Sequence, residues 1–161
     1  MEARMDDKAS TLERFRNSRQ AVEEAIRSVG DLDLQTQPVE GEWTVKDLAA
    51  HLTSWEAVSL PDLRLYASGG LYYPDVINDH DAWNMAQMVL WRYKTAAIIL
   101  QEMAEVRREV DDLVSSISED RWQDHIIMPW GLPGTLFDFV DGLRYHDDEH
   151  LEAIRRAGEA K

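Results

Sequence analysis

The chain has 161 residues, with 17 Lys and Arg against 31 Asp and Glu, and no cysteine. Its net charge of −14 repels phosphate backbones and anionic lipid surfaces, which argues against nucleic acid and membrane as partners. Without cysteine the chain has no disulfide, Cys-ligated zinc, iron–sulfur cluster or thiol nucleophile of its own, and any metal must be held by His, Asp or Glu.

The length suits one domain over residues 1–161, and a 44% hydrophobic content is enough to bury a core. The opening stretch MEARMDDKASTLERF has no apolar signal region, and the longest apolar run, near Thr95–Leu100, is too short to span a bilayer. A soluble cytoplasmic protein is expected.

The first helix is predicted over Ser10–Val29. Leu12, Phe15, Val22, Ile26 and Val29 form one stripe, with Arg19 filling its gap. Ser10 and Glu13 have capping-box spacing, and Gly30 reads as the stop. Asp31–Trp43, with Pro38 and Gly41, reads as a loop. The second helix starts at Thr44, in capping spacing with Asp47, and runs through Leu48, Leu52, Trp55 and Val58 until Pro61 ends or kinks it.

Pro61–Asp79 is predicted to be a long loop, and loops of that length are usually functional or mobile. A third, long helix is expected over His80–Ile117. Ser118–Gly134 is a second long connection, with a brief extended piece at His125–Met128. The fourth helix begins at Thr135, in capping spacing with Asp138, and reaches Arg156. Four amphipathic helices without clear strands predict an all-α four-helix bundle, with long connections between helices 2 and 3 and between 3 and 4.

The histidines carry the chemistry. On the fourth helix the apolar stripe reads Leu136, Phe139, Leu143, His146, His150, Ile154, so two imidazoles occupy core positions. Residues four apart lie about 40° from each other on one face, within reach of one ion. His51 points inward from the second helix beside Leu48 and Leu52. Three neutral imidazoles suit a divalent first-row ion and leave positions open for water or substrate. A di-iron carboxylate site does not fit, because it needs two Glu-x-x-His motifs and only Asp147-x-x-His150 comes near one. His80 and His125 lie in loop-like context and read as solvent-exposed.

Gly41-Glu42-Trp43-Thr44-Val45-Lys46-Asp47-Leu48-Ala49-Ala50-His51-Leu52-Thr53-Ser54-Trp55-Glu56 resembles the signature around the first metal histidine of the DinB/YfiT-like bundle superfamily. Tyr145–Ile154 resembles its H-x-x-x-H segment. The likeness spans nearly the whole chain and looks closest to the ClbS/DfsB and mycothiol-enzyme-like branches. It implies a metal triad of His51, His146 and His150, with zinc or nickel as the leading ions. It also implies a homodimer and chemistry on a small electrophile. In some branches that chemistry uses a low-molecular-weight thiol cosubstrate such as bacillithiol, mycothiol or glutathione. In the ClbS branch it is hydrolysis of a cyclopropane.

The expected function is therefore a metal-dependent transferase or hydrolase of the detoxification or resistance type. The alternatives are a non-catalytic bundle that sequesters a small molecule, and a structural dimer with a vestigial histidine cluster. Glu56, one turn beyond His51, and Asp147, beside His146, are candidates to orient an imidazole, against an ordinary reading as solvated charges. Tyr72, Tyr73 and Trp130 are candidate pocket walls, since loops seldom carry several large rings without use. Trp55 and Trp83 read as core packing.

Overall fold

The computed structural model describes residues 7–159. Helix α1 (Lys8–Arg27) starts earlier than its expected capping box. The cap is Asp7, whose carboxylate accepts from the Ser10 amide at 2.8 Å, so the Ser10–Glu13 box is not used. Starting one turn sooner also lets the Lys8 ammonium donate to the carbonyls of Ser115 and Ile117, each at 2.6 Å. The helix ends at Ser28, before Gly30, with the Ser28 hydroxyl donating to the Ala25 carbonyl.

The expected loop before the second helix is more ordered than its composition suggests. It holds a short helix α2 (Asp33–Thr36) and an antiparallel hairpin of β1 (Pro38–Glu40) and β2 (Trp43–Thr44). Gly41 turns the hairpin at φ 58°, a left-handed position that glycine adopts without Cβ strain. Helix α3 (Val45–Ala57) follows, with the Thr44–Asp47 capping box in place: Thr44 Oγ1 accepts from the Asp47 amide and the Asp47 carboxylate accepts from the Thr44 amide. Such a cap stabilises a helix by about 1 kcal/mol. Every residue from Leu48 to Glu56 is buried, so α3 is the central helix.

Pro61 does not end the helical region. It stands in the first turn of α4 (Leu60–Ala67), where a missing N–H costs nothing, so the expected loop shrinks to residues 68–79. The long third helix is also corrected. It is two helices, α5 (His80–Trp91) and α6 (Ala96–Ser116), broken where Thr95 restarts the chain by accepting from the Ile98 amide. Asp79 caps α5 in the same way. The apolar period runs unbroken through Val89, Tyr93 and Ala96, which hides the break. A 3₁₀ turn (Glu119–Gln123) buries Trp122, and the antiparallel pair β3 (Ile126–Ile127) and β4 (Pro133–Gly134) precedes α7 (Leu136–Glu159). Thr135 and Asp138 cap α7 reciprocally, in the spacing read from the sequence.

Helix α1 packs along α7, while α3 and α4 pack on α6, giving a helical bundle. Its apolar core is in two parts. One centres on Phe15, Leu63, Val110, Trp122 and Phe139; the other on Val22, Leu48, Leu52, Met103 and Ile154. On α1, α3, α6 and α7 the residues between these parts are Arg19, Glu56, Arg107 and Asp147, all buried. The bundle therefore contains one charged layer with two guanidinium and two carboxylate groups. Arg19 reaches Glu56 at 2.6 Å and Asp147 at 2.7 Å, and Arg107 reaches both carboxylates at 2.6 Å. No described helix is long and apolar enough to cross a membrane.

Candidate metal centre

His51 comes from the middle of α3, and His146 and His150 come from successive turns of α7. One ring nitrogen from each lies within 4.8 Å of the other two. His51 Nε2 and His146 Nε2 are 2.8 Å apart, so one donates to the other. The three rings meet edge to face, with centroids 4.7–5.1 Å apart. Trp43, carried by the hairpin, covers the outer side of His51 at 4.9 Å.

The donor set fits a divalent ion. Two imidazoles on a tetrahedral zinc, at the usual ligand length, hold their nitrogens about 3.3 Å apart. The His51–His146 pair would open by roughly half an ångström to admit it. All three donors are nitrogen, which suits zinc, nickel or copper better than calcium or magnesium. The second nitrogen of His150 is also committed: Nδ1 lies 2.9 Å from Glu40 Oε2, which leaves Nε2 for the cluster. A carboxylate on the far nitrogen fixes the tautomer and raises the basicity of a ligating histidine.

Sequence reasoning missed Glu40 and looked instead to Glu56 and Asp147. Neither is solvated, and both carboxylates serve the buried arginine layer. Asp147 also accepts from Ser18 Oγ at 2.9 Å. Burial alone would raise its carboxyl, but Arg19 and Arg107 hold it below the ordinary range. Glu40 sits in a segment read as loop and becomes visible only when the hairpin folds it against α7. We expect Glu40→Ala to weaken zinc binding roughly 10- to 100-fold, and Glu40→Gln to retain most of it because the amide oxygen still accepts from Nδ1–H. Competition with a chromophoric chelator measures both, and equal losses in the two variants would contradict the role.

Burial, reinforced by the neighbouring imidazoles, pushes His51 down to about 3 and His146 down to about 4. Both are neutral at pH 7, with lone pairs available. The unfolded chain takes up protons near pH 6.5 that the folded chain refuses. The stability of chelator-treated protein should therefore be fully present above pH 6.5 and fall as pH drops from there toward 4. Urea midpoints that stay level across that window would contradict this.

A cavity of about 770 Å³ opens over the triad, within the size range of small-molecule sites. Of the expected wall residues, Trp130 does line it. Its indole stacks on Phe139 at 5.6 Å and lies against Gly142, where an added Cβ would meet the ring at 2.9 Å. Tyr72 does not line it, being buried in the core between Tyr66 and Phe139. Tyr73 does not line it either and is 87% exposed. Trp55, expected as simple core, is buried yet forms part of the wall, with Nε1 donating to Asn84 Oδ1 at 2.9 Å and Trp83 tilted against it. His80 is exposed, as expected, and stands in the cavity lining with Nε2 3.2 Å from the Trp130 carbonyl. His125 is exposed and outside the cluster.

A sequence profile of the DinB superfamily matches residues 14–154. Curated protein sequences give no match. Among solved structures, the mycothiol-dependent maleylpyruvate isomerase aligns with TM-score 0.76 at 14% identity, over 91% of this chain and 60% of its own. This chain thus spans about 60% of that enzyme's length. YfiT from Bacillus subtilis, described as a probable metal-dependent hydrolase with an unusual four-helix bundle topology, aligns with TM-score 0.72 at 15% identity, over 99% and 91%. The colibactin self-resistance protein ClbS, solved with double-stranded DNA, aligns with TM-score 0.77 at 12% identity, over 99% of each chain. Likeness at these identities establishes a shared fold.

Proposed function

The chain belongs to the DinB superfamily, and on that premise we propose that it is a divalent-metal-dependent hydrolase or transferase acting on a small electrophile. The convergence of His51, His146 and His150 beneath a cavity of ligand size carries this reading. These residues would hold the ion, with Glu40 fixing the ring of His150. A bound divalent ion supplies Lewis-acid chemistry, lowering the pKa of a nucleophile's proton and polarising the electrophile. Trp43 packs against His51 at 4.9 Å, and Trp55 forms part of the cavity wall. The chain has no cysteine, so the nucleophile is water or a thiol brought by a cosubstrate.

The test is direct. Protein freed of its affinity tag, incubated with zinc or nickel and dialysed, should keep near-stoichiometric ion and convert members of a panel of epoxides, activated alkenes and strained rings, with or without added thiol. Failure to retain any ion overturns the reading. Ligand capture by the loaded protein without turnover of any panel member favours sequestration instead.

The proposed partner is a small molecule. A net charge of −14 opposes a phosphate backbone, although ClbS is seen with duplex DNA. A homodimer completes the proposal. Helix α5 buries none of its residues and exposes Met85, Val89 and Leu90, an apolar face that a second copy would cover. Light scattering should report twice the 18.6 kDa chain mass, and Leu90→Lys should return the monomer. A monomeric parent protein would exclude this contact.

A further inference from the structure

We propose that the cavity over the histidine triad selects a cationic small molecule, an amine or ammonium-bearing aromatic, over an anionic one. The inference rests on reading that cavity as the substrate site. Glu40, Asp138, Asp141 and Glu149 all line it, and among the described residues no Lys or Arg does. Three of these acids, Asp138, Asp141 and Glu149, come from α7, the helix that also carries His146 and His150 into the cavity wall. Arg144 pairs with Asp141 but divides its charge with Asp148, each at 2.6 Å. A divalent ion on the triad would cancel part of the remaining charge and not all of it. The acidic surface of the whole chain adds in the same direction, and a cleft with low-dielectric walls focuses such a field.

The apolar part of the wall agrees with this charge. Trp55, Trp130 and Tyr145 present aromatic rings to the cavity, and aromatic faces attract cations. Trp130 is held in place from two sides, stacked on Phe139 and seated on Gly142, one helical turn before His146. A glycine inside a helix costs about 1 kcal/mol relative to alanine, and here the missing Cβ makes room for the indole. The site thus combines a fixed aromatic platform with a carboxylate rim. The same field disfavours a carboxylate-bearing thiol as cosubstrate and favours water or a thiol without negative charge.

Three probes of similar size separate the possibilities: benzyltrimethylammonium, benzyl alcohol and benzylsulfonate. Their binding is followed by tryptophan fluorescence and calorimetry on both metal-free and zinc-loaded protein. The cation should bind about tenfold or more tighter than the sulfonate, with the preference shrinking at high salt. Glu149→Gln, alone and with Asp141→Asn, should narrow it several-fold while the circular dichroism stays that of the parent. Equal or tighter binding of the sulfonate, an undiminished preference in the double variant, or binding of none of the three overturns the proposal. Because the preference is read without turnover and without metal, a cation-selective protein that retains no ion sinks the metalloenzyme reading alone. A zinc-retaining protein without charge preference sinks this inference alone.

Discussion

His150→Ala should leave the protein folded and unable to retain zinc or nickel through dialysis. Three nitrogen donors converge in the parent, and losing one leaves a two-imidazole site open to solvent. Removing an outer-shell partner of a ligating histidine costs roughly 10- to 100-fold in affinity, so removing the ligand itself should cost more, about 1000-fold. Glu40 loses its partner in the variant, but its side chain is 47% exposed, so water replaces the hydrogen bond at little cost. His125→Ala is the matched control: that residue is exposed and lies outside the cluster, so it should keep the ion. Elemental analysis and chelator competition read both variants. Near-stoichiometric ion in His150→Ala at parental affinity would show that the triad is not the metal site.

The residues that converge on the triad were legible because each sits where helical periodicity demands an apolar side chain. His51 follows Leu48, and His146 and His150 continue the stripe of Phe139 and Leu143. The caps at Thr44 and Thr135 were legible for a similar reason, since a capping box is a local four-residue pattern. Non-local geometry was not. Glu40 reaches His150 across 110 positions of sequence, through a hairpin too short to show alternation. The break before Thr95 was hidden because the apolar face continues through it. The charged layer did leave a trace: Arg19 interrupts the stripe of α1, and Arg107 falls between Met103 and Val110 at core spacing. What one sequence could not show is that these two arginines and two acids from other helices share a single level of the bundle.

That level makes a second large effect predictable. Arg107→Met should lower thermal stability by roughly 10 °C, as expected for a loss of about 3–5 kcal/mol in a chain of this size. Methionine fills much of the space of the arginine stem, so the cost is electrostatic and not a cavity. In the parent, Arg107 donates to Glu56 Oε1 and Asp147 Oδ2, both at 2.6 Å. Without it, two buried carboxylates face the single cation Arg19, and the layer carries an uncompensated negative charge. A buried charge without its partner costs far more than the pair contributes. Arg107→Met combined with Asp147→Leu leaves one cation opposite one anion, so the double variant should be less destabilised than the sum of the single changes. Urea unfolding of the four proteins closes this cycle, and strict additivity would show that the two groups do not share a layer. Zinc then separates the layer from the site. An ion that binds only the native state stabilises it by about 2.7 kcal/mol at a hundredfold excess over Kd. Arg107→Met should therefore recover part of its lost stability in excess zinc, whereas His150→Ala should gain none. The first change weakens the frame that carries α7, and the second removes a donor from it.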